Sequence, residues 1–303
     1  MDGIAASGCR PAEPFGGSGR FGSTDADQAL WSHRCSWEDL LAPVEEGAGA
    51  RSMLEVGRAW TKQWTATWRF AGSEVTCPVR DLAAMPMAGS QPVRRFSWRT
   101  SQRHRPGLQY LVSTGRHHGF ESLEEARLLL ALDFAGDLVD VASQPFRLRF
   151  AATAGWWAHT PDFLAATRTG TWLLDVRPAD RVGDDDRVRF AAAAEVALAC
   201  GWRYALVRGW RPNVLTTIDA LSSQRRELAD RLGLQAALLA ATASGPRRFG
   251  ELAEQTVAPP VARAHLLQLL WHRQLGIDLT QPLTDAALVW TAGTAGTTEG
   301  GSR

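Results

Sequence analysis

Residues 155–177 read GWWAHTPDFLAATRTGTWLLDVR, and this stretch decides the fold. Gly155 and Gly170 punctuate it, so 160–165 and 171–176 read as two strands separated by a turn. Strand side chains alternate between faces. Trp172, Leu174 and Val176 therefore share one face, and Leu173, Asp175 and Arg177 the other. Asp162 stands at the entry of the first strand, directly after Pro161. The pattern is an acid on one strand and an acid-x-cation on the next.

Working outward, 110–112 reads as a short strand, 121–134 as a helix and 139–150 as extended chain. Downstream, 187–200 is an alanine-rich helix ended by Gly201, 202–207 a strand and 213–225 a helix. Strands clustered between helices predict an α/β sandwich with a mixed sheet. Residues 234–243, 248–255 and 259–273 are amphipathic helical stretches, followed by short extended runs at 276–279 and 288–290. Tight helices followed by a two-stranded flap predict a winged helix-turn-helix. Residues 52–92 form an arm containing a strand at 65–70 and a linker over 81–92. Residues 1–51 are Gly-, Ser- and Ala-rich and read as a loose acidic tail with a short helix near 37–41. The expected division is 1–51 tail, 52–92 arm, 93–226 main domain, 227–290 winged helix and 291–303 loose tail.

Composition narrows the classes. The chain has 303 residues, 45% apolar and 21% charged, with a formal net charge of +1. That is enough for one catalytic-size domain and a small second one. It excludes a wholly disordered acidic chain. Apolar runs stay short of the roughly 18 residues of a membrane helix, and the first residues lack the pattern of a secretory leader. The 4 cysteines are widely separated, which fits a reducing cytoplasm better than a disulfide framework or a zinc site. Lys62 is the only lysine among 33 basic residues, a coding bias toward arginine. Residues 1–50 carry three Arg against eight acids, and residues 91–226 carry nineteen against fourteen. A basic centre behind an acidic tail points mildly to a polyanionic partner.

Three acids are candidates for chemistry, each with an ordinary alternative. On a helical wheel Glu125 falls among Leu128, Leu129 and Leu132, while Glu124 falls away from them. A carboxylate in an apolar stripe must be hydrogen-bonded, neutral or metal-bound. Ser122-Leu123-Glu124-Glu125 also matches a capping box. Asp162 after Pro161 is a metal-ligand candidate or simply a turn residue. Asp175 and Arg177 form either part of a reactive centre or a same-face ion pair, worth about 1 kcal/mol at most if exposed. Taken together, the three acids suit a divalent cation. Mg²⁺ takes oxygen ligands and keeps waters for reaction. The nearby cation can orient such a water or balance developing negative charge.

In this combination the run Glu125 … Pro161-Asp162 … Asp175-Val176-Arg177 resembles the PD-(D/E)xK restriction-endonuclease fold. More closely, it resembles the TnsA-type endonuclease subunit of heteromeric transposases. The segments that carry the resemblance are FESLEEARLLLALDF, DLVDVASQPFRL, HTPDFLA and TWLLDVRPADR, completed by WRYALV and the helix after it. They span residues 94–225. The resemblance implies a restriction-endonuclease-like mixed-sheet sandwich followed by a small winged helix. It implies Glu125, Asp162 and Asp175 as ligands of Mg²⁺, for which Mn²⁺ can substitute, and Arg177 as the charge that stabilises the transition state or positions water. The family's last motif is commonly Gln-x-Lys and here reads Asp175-Val176-Arg177. Arginine keeps the charge but cannot deprotonate and is more rigid. The implied activity is hydrolysis of DNA at the 5′ ends of a mobile element, beside a DDE-type transposase and under an AAA+ ATPase, with little activity alone. A stand-alone nuclease of the same fold, or a degenerate DNA-binding or assembly subunit, are the alternatives.

Residues 92–119 carry no acid. Arg94, Arg95, Arg99, Arg103, Arg105 and Arg116 lie there with Trp98 and Tyr110 interleaved, and read as a phosphate-tracking stretch on double-stranded DNA or as a solvated arm. The adjacent His117 and His118 face opposite ways on a strand. In the winged helix, 259–273 is the recognition-helix candidate, with Arg263, His265, Gln268, His272 and Arg273. The domain's charge balances to zero, which suits a protein partner such as the ATPase better than DNA.

Overall fold

The computed structural model describes residues 28–43, 50–94 and 106–293. A short helix α1 (Trp60–Gln63) leads into the hairpin β1 (Thr65–Phe70) and β2 (Ser73–Pro78). Its two-residue tip, Ala71-Gly72, has positive φ at both positions. That is the tight turn whose twist matches the flanking strands. The two-residue β3 (Ser90–Gln91) adds to the other edge of β1. A second hairpin, β4 (Gly107–Leu111) and β5 (Arg116–Phe120), precedes helix α2 (Leu123–Ala135).

Ser122 caps α2, its hydroxyl accepting from the Glu125 N–H, and Gly136 at φ +74° ends it in the left-handed conformation. The helix therefore starts two residues later than its apolar pattern suggests. Strands β6 (Leu138–Ser143), β7 (Phe146–Ala152), β8 (Gly155–His159), β9 (Phe163–Thr167) and β10 (Gly170–Val176) follow. Then come α3 (Asp184–Ala199), β11 (Arg203–Val207) and α4 (Val214–Ser222). Three aspartates in its first turn begin α3 at 184, earlier than the alanine run implies. Acids there complement the helix dipole.

The protein is mixed α/β with several antiparallel sheets. One sheet runs β11-β10-β9-β6, with β10 and β11 parallel and the other pairs antiparallel. A second runs β2-β1-β7-β8. The stretch expected as one extended run over 139–150 is two strands in two sheets. Gln144, at φ +46°, and Pro145, which has no N–H, break it.

The β10 sheet is covered on both faces. Phe163, Ala165, Trp172 and Leu174 pack against Leu128, Leu129 and Leu132 of α2. Leu164 and Leu173 face the other way, into a core of Val188, Ala192 and Val196 from α3 with Phe146, Leu148 and Phe150. Each large apolar side chain fully buried this way contributes about 1.5–3 kcal/mol.

The expected arm over 52–92 is instead part of this core. Trp64 and Trp68 are wholly buried against Phe150 and Phe146, and β1 pairs with β7. The 81–92 linker is likewise structured. A 3-10 helix spans Val79–Ala84, and its Leu82 is buried.

The loose tail expected over 1–51 is also corrected where it is described. A 3-10 turn at Glu38–Leu40 forms where a helix was expected, and Trp37 and Leu40 are buried. Residues 28–43 strap the molecule. Ser32 N donates to Ile277 O at 2.9 Å, Leu279 N to Leu30 O at 2.8 Å, and Ala42 N to Gly209 O at 3.1 Å. Residues 1–27 and 294–303 lie outside the described residues.

The C-terminal segment contains α5 (Leu234–Thr242), β12 (Arg247–Arg248), α6 (Phe249–Glu254), α7 (Pro259–Trp271), β13 (Leu275–Gly276) and β14 (Leu288–Thr291). The strands form a small sheet in the order β12-β14-β13. This segment shares one core with Leu130 and Phe134 of α2 and Val214, Ile218 and Leu221 of α4. Among the described residues no helix is long and apolar enough to cross a membrane.

Candidate active site

The site is set by the β9–β10 ladder. Phe163 pairs with Leu174 at the end of the ladder, which brings Asp162, the residue before it, near Asp175, the residue after Leu174. Asp162 N donates to Leu174 O at 3.1 Å, and the Asp162 side chain accepts from Val176 N at 2.7 Å. Burial holds the Asp162 carboxyl well above the usual carboxylate range. The charges of Asp175 and Glu125 push it the same way, and the Val176 N–H opposes them.

Asp175 is buried, with 1% of its surface exposed, and both its oxygens are engaged. Oδ1 lies 2.9 Å from His159 Nε2 at the end of β8, and Oδ2 accepts from the Tyr204 hydroxyl of β11 at 2.9 Å. The His159 ring packs edge-on against Phe190 of α3. Burial pushes the Tyr204 phenol well up, and the neighbouring Asp175 charge adds to this. In the sequence His159 heads the His159-Thr160-Pro161-Asp162 candidate without a role of its own, and Tyr204 is not singled out. Parallel pairing places Tyr204 beside Leu173, on the Asp175 face, so strand alternation carried that signal once the β10–β11 register was known. Tyr204→Phe is expected to lower stability by about 1–3 kcal/mol, because it leaves a buried carboxylate oxygen without its donor. Urea unfolding checks this, and an unchanged midpoint would refute the role.

Glu125 forms the capping box. Its side chain accepts from Glu121 N at 2.8 Å and from the Ser122 hydroxyl at 2.9 Å. It is also buried, and burial raises its carboxyl above the ordinary range, with the Glu121 charge adding. Glu125 thus braces the start of the helix, and its charge acts on Asp162.

Arg177 departs from the same-face expectation. It lies one residue past the end of β10, exposed, with Nη2 3.1 Å from Asp186 Oδ2 and Nε donating to Arg181 O at 3.2 Å. Strand alternation stops at Val176, and Asp186 in the first turn of α3 draws the guanidinium outward. The Asp175–Arg177 pair is not formed; Asp175 bonds inward instead.

Of the basic stretch, Arg94 is exposed, and its charge acts on Glu125. Arg116 is paired with Asp140. Arg95, Arg99, Arg103 and Arg105 lie outside the described residues. His118 is buried against Thr114 and His117 is exposed, as alternation requires. On α7, His265 and Gln268 are buried and bond Gln235, and Arg263 pairs with Asp285. Arg273 donates to Cys35 O and Ala135 O. Most of the face expected to meet a partner is thus turned inward.

Among the described residues no group of three or more His, Cys, Asp or Glu is arranged to hold a metal ion. The donor chemistry nonetheless fits a hard divalent cation. The charges of Asp175 and Glu125 both act on Asp162, and none of the three carboxylates is ion-paired to an arginine among the described residues. Beside them Gln144, whose N–H donates to Asp162 O at 2.7 Å, holds a buried Oε1 with no partner among the described residues. All of these are oxygen donors, the type Mg²⁺ takes. No known family model and no curated protein matches the chain.

Proposed function

We propose that the chain is a metal-dependent DNA endonuclease subunit of a TnsA-like transposition complex, hydrolysing phosphodiesters at the 5′ ends of a mobile element. The observation that carries this reading is that Asp162 and Asp175 lie together at the end of the β9–β10 ladder, with both Asp175 and Glu125 close enough for their charges to act on Asp162. The surrounding architecture supports it. A mixed sheet with one parallel pair, covered by α2 and α3, suits a restriction-endonuclease-like fold. Helices α5 to α7 with the β12-β14-β13 sheet suit a winged helix.

Asp162, Asp175 and Glu125 would hold Mg²⁺ or Mn²⁺. A bound ion would polarise the phosphodiester and lower the pKa of a water. His159 and Tyr204 fix the Asp175 carboxylate, and Val176 N–H fixes that of Asp162. Arg177 would supply positive charge at the rim, where developing negative charge is stabilised electrostatically. Double-stranded DNA is the substrate; a DDE-type transposase and an AAA+ ATPase are the partners in this reading, which places the protein in the cytoplasm. A second reading has its own support. Both oxygens of Glu125 and of Asp175 are already bonded within the protein, and Arg177 is turned to Asp186. These features suit an assembly subunit that no longer cuts.

The test is nicking of supercoiled DNA by the full chain with Mg²⁺ or Mn²⁺, alone and with transposase and ATPase subunits encoded beside it. Metal-dependent nicking is expected with the partners. Arg177→Ala is expected to lower it roughly 10²–10³-fold with an unchanged melting temperature, since Arg177 is exposed. Unchanged cleavage would remove Arg177 from the mechanism. DNA binding with no cleavage under any of these conditions would favour the assembly subunit.

A further inference from the structure

A cavity of about 220 Å³ opens where the parallel strands β10 and β11 end side by side. Its wall includes Val176, Val207, Arg208 and Trp210 from the strand ends, with Glu124 and Arg127 from the start of α2. In open α/β sheets, ligands bind beyond the carboxyl ends of the strands. Glu124 is the only acid on this wall among the described residues, and each of its oxygens already has a partner. Oε1 is paired with Arg127, and Oε2 accepts from the Trp210 indole at 3.3 Å. Arg208 is not ion-paired to Glu124. The Arg208 Nε is enclosed and has no acceptor among the described residues, so a ligand in the cavity would meet the terminal nitrogens of the guanidinium. A guanidinium matches the paired oxygens of a phosphate. The volume is below the roughly 300 Å³ of a whole small-molecule site, which suits a phosphate with part of its sugar. Val176 shares its face of β10 with Leu174, so the cavity opens on the α2 side of the sheet, opposite the Asp175 face.

We propose that this cavity is a phosphate-ester subsite, with Arg208 as its anchor, Arg127 as the second charge and Trp210 as an apolar wall. That a nucleic-acid strand supplies the phosphate rests on the nuclease reading; a free mononucleotide presents the same chemistry.

The full chain, in EDTA, is titrated with a labelled duplex over a range of salt and with thymidine 5′-monophosphate. Arg208→Gln is expected to weaken duplex binding roughly tenfold. It is also expected to reduce the slope of log affinity against log salt by about one. Its melting temperature is expected to stay level, because the Arg208 Nε makes no hydrogen bond among the described residues that the variant could lose. Arg127→Gln, at an exposed position, is expected to weaken binding several-fold and serves if the first variant fails to fold. Duplex binding that neither variant changes would overturn the subsite and leave the nuclease reading standing. Binding of the mononucleotide but not the duplex, lost in Arg208→Gln, would keep the subsite and overturn the nuclease reading. Binding of neither probe by the wild-type protein would overturn the subsite.

Discussion

Asp162→Asn is expected to abolish metal-dependent cleavage and to leave a protein more stable than the wild type. The variant keeps the acceptor that Val176 N–H needs, so the strand geometry survives. It removes the charge that burial, Asp175 and Glu125 all oppose. The loss of activity should be at least roughly 10²–10³-fold, the usual cost of removing one electrostatic element of a reactive centre. The gain in stability should be on the order of 0.5–2 kcal/mol, typical of relieving a conflict kept for function.

The pH dependence gives the sign. Folded Asp162 holds its proton to a higher pH than the unfolded residue, whose pKa is about 3.9. Between those two values the folded state binds more protons, so wild-type stability falls as pH rises through the window. The Asn variant lacks that fall. Its advantage should vanish in acid and be full above the raised pKa. Urea unfolding in EDTA across this range measures it. An Asn variant less stable than wild type at neutral pH would mean that the carboxylates do not oppose one another.

Trp37→Ala is expected to cost about 3–5 kcal/mol, the usual range for emptying a buried tryptophan site. Trp37 is 1% exposed and meets Trp172 of β10 edge to face, with ring centroids 4.9 Å apart. Its loss would loosen the strap over 28–43 as well as the sheet beneath the site. Trp37→Phe should cost less than about 1.5 kcal/mol, because the indole N–H has no acceptor among the described residues and nothing is lost with it. Chemical denaturation of both variants separates packing from hydrogen bonding. A loss below about 1 kcal/mol for the Ala variant would show that the strap contributes little.

These residues also show what the sequence made legible. Helix α2 announced itself through Ser122, Glu125 and the leucine spacing, all local signals. Strand β10 did so through its apolar alternation, and the Asp162–Asp175 pairing needed only that alternation and a turn at Gly170. The strap over 28–43 was hidden. Its apolar residues follow no helix or strand period, and its partners, such as Ile277 and Gly209, lie far along the chain. The break at Gln144 had one local signal, Pro145, while the φ of +46° at a non-glycine residue leaves none. The direction of Arg177 depends on Asp186, on a helix whose packing angle no local pattern encodes.

Helix α2 has a further consequence. Its Leu128, Leu129 and Leu132 belong to the sheet, while Leu130 and Phe134 belong to the C-terminal core. A helix claimed from two sides cannot serve as a seam. Exchanging residues 227–290 for another cassette would expose Leu130 and Phe134 unless the newcomer rebuilt the same socket. The two halves are therefore bound to change together: a substitution on the far side of Phe134 is felt by the helix that carries Glu125, and the lineage of one half constrains that of the other.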